Sequence, residues 1–142
     1  MAEIEPKAGV MKAPCKTCPY RRDVPSGIWH EHEYAKLPAY DGEIIDQLQA
    51  RAGGLFMCNQ RDGNLCAGWL ACHGPGNLLA LRLHGAEIEP EVWDYQSPVP
   101  VFESGAAAAA HGMAELAKPG PKAKRAMSRL IRKFGAKEST DG

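Results

Sequence analysis

The apolar positions of this chain come in short bursts, each closed by glycine or proline. The first follows Trp29, where "WHEHEYAK" predicts a short helix from Trp29 to Lys36, with Tyr34 and Leu37 facing inward and Pro38 stopping it. Ile44, Ile45 and Leu48 recur at helical spacing; Asp41 suits the N-cap, and Gly53-Gly54 supplies the stop. "LFMC" is a short apolar run that reads as a strand ending at Cys58, and "NQRDGN" reads as a turn centred on Asp62-Gly63. "NLCAGWLACHG" predicts a helix capped by Asn64 and stopped by Gly74, and "PGNLLALRLHG" one capped by Asn77 and stopped by Gly85. Residues 86–102 read as extended and proline-broken. Ser104 caps an alanine-rich helix, which Pro119-Gly120-Pro121 breaks, and a last helix runs from Pro121 to Phe134 before Gly135.

These elements describe a small α-rich domain (α+β with minimal strand), loop-rich, with a C-terminal helical pair. Residues 1–12 read as a flexible leader, 13–103 as the body, 104–137 as the two C-terminal helices and 138–142 as a disordered tail. At 142 residues with 15 Gly and 11 Pro, one modest core joined by irregular chain is the expectation. The start of the chain is acidic and lacks an apolar run, so it does not read as a secretory signal. No stretch approaches the roughly 20 apolar residues of a membrane span. The chain is therefore expected in the cytoplasm, where thiols stay reduced. Five cysteines, an odd number, also argue against a disulfide framework.

The cysteines are Cys15, Cys18, Cys58, Cys66 and Cys72. Cys15-Lys16-Thr17-Cys18 has the spacing of a metal knuckle, in which two thiolates converge on one ion; it is also the spacing of a redox dithiol. The redox form opens a helix behind a strand, whereas here no strand precedes Cys15, and Pro19-Tyr20 follows Cys18. Cys58 and Cys66 flank the Asp62-Gly63 turn, which can fold the chain back so that their sulfurs meet. Cys72 falls six residues after Cys66, about 120° away around a helix axis. The expected ligand set is thus Cys15, Cys18, Cys58 and Cys66, a thiolate set that suits zinc or, alternatively, an iron–sulfur cluster. Cys72 and His73 are weaker candidates, and the plainer reading of Cys58, Cys66 and Cys72 is as ordinary buried thiols. Trp69, three residues after Cys66, is expected to shield the site from water. The metal is expected to nucleate the fold.

Together, "CKTCPYRRDVPSGIW", "EYAKLPAYD", "FMCNQ" and "CAGWLA" resemble a family of small bacterial and bacteriophage proteins of unknown function. Its members share a Cys-x-x-Cys-Pro-aromatic-Arg opening, an apolar run ending in Cys and a later Cys-x-Gly-Trp. The resemblance spans about residues 13–117 and implies matched roles for Cys15, Cys18, Cys58 and Cys66. Asn59 departs from it, because histidine is frequent at that position.

Arg21-Arg22 reads as a loop pair bonded to Asp23 or to carbonyls, His30 and His32 as surface residues, and His84 and His111 as structural. No paired carboxylates, Ser–His–Asp pattern, phosphate-binding glycine loop or His-Glu-x-x-His motif is present. A reactive Cys72 beside His73 is the enzymatic alternative, and neighbouring residues on a helix point apart.

The formal charge is zero but unevenly spread. Residues 118–137 carry eight basic groups and no acidic one, while residues 1–117 carry nine basic and fifteen acidic, a net of minus six. In the last helix Ala123, Ala126, Met127, Leu130, Ile131 and Phe134 form an apolar stripe; Lys122, Lys124, Arg125, Arg129, Arg132 and Lys133 cover the rest. The expectation is a non-enzymatic metal-binding module whose basic helix contacts nucleic acid or a protein partner.

Overall fold

The computed structural model describes residues 7–58 and 63–138, with side chains described through Lys133. In chain order the elements are β1 (Gly9–Val10), α1 (Glu31–Ala35), α2 (Ile44–Gln49), β2 (Asn64–Leu65), α3 (Ala67–His73), α4 (Leu79–Leu83), α5 (Gly105–Met113) and α6 (Pro121–Glu138). Short 3-10 turns occupy Leu37–Tyr40, Pro75–Asn77, Gly85–Glu87 and Pro90–Asp94. Among the described residues roughly half are helical and the sheet is one two-stranded parallel pair, so the α-rich class holds. No helix among the described residues is long and apolar enough to cross a membrane.

The core gathers Tyr20, Tyr34, Leu37, Leu65, Trp69, Leu70, Leu78, Leu81 and Val92, together with Cys18 and Cys66. Tyr34 and Leu37 face inward as expected. Ser104 caps α5 as expected, its Oγ accepting from the Ala107 amide at 3.0 Å, and α6 begins at Pro121.

Several expectations are corrected. Residues 1–6 lie outside the described residues, but the leader is tied in from Ala8 onward. Ala8 bridges Ile88, and β1 pairs with β2 in the register Gly9↔Asn64, Val10↔Leu65. Asn64 is accordingly a strand residue and not a helix cap, and Cys66 takes the N-cap of α3. "LFMC" contributes a single antiparallel bridge, Met57↔Leu65, in place of a strand. The first helix is shorter than expected and passes into the 3-10 turn that contains Pro38. Pro75–Asn77 is a turn of its own before α4, and α6 continues three residues past Gly135.

The largest departure is α2. Asp41 does not cap it; Glu43 holds that position, and its amide donates to Asp46 Oδ2 at 2.8 Å. The apolar pair Ile45 and Leu48 points outward, 54% and 57% exposed, while Gln47 is fully buried. The Gln47 amide explains the inversion: Nε2 donates to Asn77 O (2.6 Å) and Gly42 O (3.3 Å), and Oε1 accepts from the Leu79 amide (2.9 Å). A side chain that satisfies three backbone groups at once holds the interior position that hydrophobicity alone assigns to leucine.

Candidate metal centre

Two backbone devices bring the four expected cysteines together. The knuckle is a turn in which the Cys18 amide donates to Cys15 O (3.0 Å) and the Arg21 amide to Cys18 O (3.1 Å). The second pair is set by strand-like pairing across residues 56–66: the Cys58 amide donates to Asn64 O and the Cys66 amide to Phe56 O, both at 2.8 Å. Gly63, at φ +78°, takes the left-handed conformation that the chain reversal needs; Asn59 to Asp62 lie outside the described residues.

The consequence is one cavity of about 20 Å³ lined by Cys15, Cys18, Cys58 and Cys66, and completed by Pro19, Trp29, Glu33, Phe56 and Met57. Cys15 interacts with Cys18 and Cys58, and Cys18 with Cys15 and Cys66, so the four thiols form a connected path. No disulfide links them. They are not drawn fully into coordination geometry: among the described residues no group of three or more His, Cys, Asp or Glu side chains is arranged to hold a metal ion. One edge does have the required length. Cys18 Sγ lies 3.8 Å from Cys66 Sγ, and a tetrahedron with Zn–S bonds of about 2.3 Å has edges of about 3.8 Å.

The electrostatics follow from crowding. The Cys15 thiol is raised by its contact with Cys18, while Cys58 pulls the other way and burial adds to the rise. At Cys18 the contact with Cys15 lowers the pKa, but Cys66 and burial outweigh it, and the net lies well above an ordinary thiol. Thiols that hold one another protonated in this way give up their protons when a divalent cation supplies the opposing charge.

Trp69 is not a lining residue. It is buried behind the site, edge-on to Tyr40 (5.4 Å) and stacked with Phe56 (6.1 Å). The tryptophan at the cavity is Trp29, whose indole N–H donates to Thr17 O at 2.7 Å, inside the knuckle. Sequence spacing selects Trp69 because it follows Cys66 by three; only the course of the chain between residues 18 and 30 brings Trp29 to the sulfurs. Gly68 has a role that spacing and periodicity do not assign. A Cβ there meets Tyr20 Cβ at 2.7 Å and the Cys18 sulfur closer still. Its signal in the chain is the glycine of Cys-x-Gly-Trp, a residue that opens room for a close backbone approach inside a helix.

Cys72 and His73 lie apart from this centre, at a second cavity of about 220 Å³ with Tyr40, Asp41, Asn77 and Glu103. His73 Nε2 lies 3.3 Å from the Tyr20 hydroxyl and its Nδ1 3.5 Å from Asp41 Oδ1. Asp41 in turn accepts from the Gly105 and Ala106 amides at 2.6 and 2.9 Å, so it caps α5 instead of α2. Burial lowers His73 to about 4 and, with Asp41 adding to it, pushes Cys72 up to about 12. A protonated thiol beside a neutral imidazole already committed to Tyr20 and Asp41 is not an activated nucleophile.

The remaining residues behave as read. Arg21 pairs with Asp23 at 2.7 Å and donates to Pro14 O, and Arg22 donates to Val101 O. His30 and His32 are exposed, with rings stacked at 4.7 Å. His84 bonds Glu87 and Gly53 O, and His111 bonds Val24 O. In α6, Ala123 and Ala126 are buried and Met127 and Leu130 half-buried, but Ile131 is 68% exposed, so the docked stripe ends before it; the Phe134 side chain lies outside the described residues. The six cations Lys122, Lys124, Arg125, Arg129, Arg132 and Lys133 are all exposed.

No curated protein and no solved structure matches the chain. A model described as a family of unknown function, DUF6283, matches residues 10–131, which take in all five cysteines and the described cavity, and the chain belongs to that family.

Proposed function

We propose that this protein is a non-enzymatic metal-binding module, in which Cys15, Cys18, Cys58 and Cys66 hold one zinc ion and the basic helix α6 contacts nucleic acid or a protein partner. The observation that carries the reading is the single small cavity on which all four thiols converge, with one sulfur–sulfur edge at tetrahedral length. Its volume, about 20 Å³, is on the scale of one ion. The alternative occupant of the same four thiolates is an iron–sulfur cluster. Four protein ligands fill a tetrahedral ion and leave no position for water or substrate, which favours a structural over a catalytic role. Half of the site comes from the knuckle and half from the turn before α3, so the ion joins segments some 40 residues apart in sequence and contributes directly to folding free energy.

The test is zinc content across a cysteine series. Cys15→Ser, Cys18→Ser, Cys58→Ser and Cys66→Ser each lose zinc on purification, while Cys72→Ser keeps the wild-type content. Equal zinc in all five variants, or loss confined to Cys72→Ser, refutes the assignment.

A further inference from the structure

Helix α6 is built as an arm. Among its described residues the buried side chains are the two methyls of Ala123 and Ala126, seated on Val24 and Ile28 with Met127 and Leu130 alongside. From Ile131 to Lys133 every side chain is exposed, so the contact with the body ends at Leu130 among the described side chains. Eighteen residues at 1.5 Å each make it about 27 Å long.

At 100° per residue, Lys122, Arg125, Arg129 and Arg132 fall within an arc of about 80°, on the flank beside the seated alanines and along about 15 Å of the axis. Among the described residues none of these four makes an ion pair. Residues 1–117 carry a net charge of minus six, so the body repels a polyanion and α6 is the surface that attracts one.

The geometry discriminates among polyanionic partners. A membrane-surface helix must lay its apolar side in lipid, but here that side is seated on the body. Single-stranded nucleic acid is held by aromatic stacking, and residues 122–132, which carry the stripe, include no aromatic residue in the sequence. A straight helix about 10–12 Å across fits the major groove of B-form DNA, about 12 Å wide, whereas the A-form major groove is too narrow. From this placement we infer that the partner is duplex DNA, with the Lys122–Arg125–Arg129–Arg132 stripe of α6 neutralising phosphates along the groove. The inference names the partner within the function proposed above and rests on that reading only for α6, not for the metal.

The test is binding of a labelled 20-base-pair DNA duplex to the full chain between 50 and 200 mM salt, with zinc measured on the same sample. Four phosphate contacts give a log–log salt slope of about −3.6, a loss of about 150-fold over that range. Arg125→Gln/Arg129→Gln/Arg132→Gln, three exposed positions, keeps the far-ultraviolet dichroism and reduces the slope to about −1. Equal affinity for the single strand, for duplex RNA or for phosphatidylserine vesicles overturns the inference, as does an unchanged slope in the triple variant or retention by an acidic protein alone. DNA binding by a zinc-free sample supports the inference and removes the metal reading; zinc without DNA binding does the reverse.

Discussion

Gly68→Ala tests how closely the knuckle sits on α3. The new Cβ lies 2.7 Å from Tyr20 Cβ, and nearer still to the Cys18 sulfur. Carbon–carbon contacts relax at about 3.5–4.0 Å, so residues 18–20 must retreat by roughly 1 Å. Zinc–ligand distances tolerate about 0.2 Å, and Cys18 cannot follow the retreat and stay in register with Cys66. Two costs are expected: about 1–3 kcal/mol of overpacking, and a loss of zinc affinity of about 10–100-fold, the scale seen when the support around a ligand is disturbed. Helix propensity acts in the opposite direction, because alanine in place of a helical glycine stabilises by about 1 kcal/mol. The sign therefore separates the explanations. Zinc affinity by competition with a chelator and stability by urea unfolding, with and without zinc, are the assays. A variant with zinc affinity within twofold of wild type and equal or higher stability refutes the close approach.

Gln47→Leu fills the same space but leaves the Leu79 amide and Asn77 carbonyl without their partner, so the urea midpoint falls by an equivalent of about 2–4 kcal/mol despite the added hydrophobicity; a gain in stability contradicts this account of α2. His73 titrates at about 4 in the folded chain, lowered by burial against Asp41's opposing effect, and near 6.5 when unfolded. Its neutral form therefore supports the fold above pH 6.5. About 3 kcal/mol is lost as pH falls from 6.5 to 4, and His73→Gln removes that part of the slope, read as the difference between the two unfolding curves at each pH. Cys72, pushed up to about 12, has a thiolate fraction roughly three orders of magnitude below that of a free thiol. Mass spectrometry after alkylation of the zinc-loaded protein at pH 7.5 is expected to find it unmodified under conditions that label free glutathione, and rapid labelling contradicts the environment described.

How far the fold can be read from the chain depends on whether a residue's role is local. Ser104 and Pro121 announce helix starts by chemistry confined to one turn, and both stand where the sequence places them. The knuckle and the reversal at Gly63 are likewise local, which is why spacing alone selects the four cysteines that line one cavity. Asp41 and Gln47 are misassigned by sequence reasoning because their partners are remote: Asp41 caps a helix more than 60 residues later, and Gln47 holds backbone some 30 residues on. Periodicity sees Ile45 and Leu48 as an inner face, yet one well-satisfied buried amide reverses α2. Trp29 and Trp69 exchange roles for the same reason, since distance from a cysteine along the chain is a poor guide once the chain turns between them. The leader's pairing with β2 shows in residues 7–12 only as the apolar run Val10-Met11, too short to display a strand period.

The most direct measurement is metal and acid-labile sulfide content, with a visible spectrum, on the full chain purified without oxygen or chelator. A single four-thiolate site predicts about one zinc per chain, no sulfide and no colour. Iron with labile sulfide, or no metal together with five titratable thiols, contradicts it.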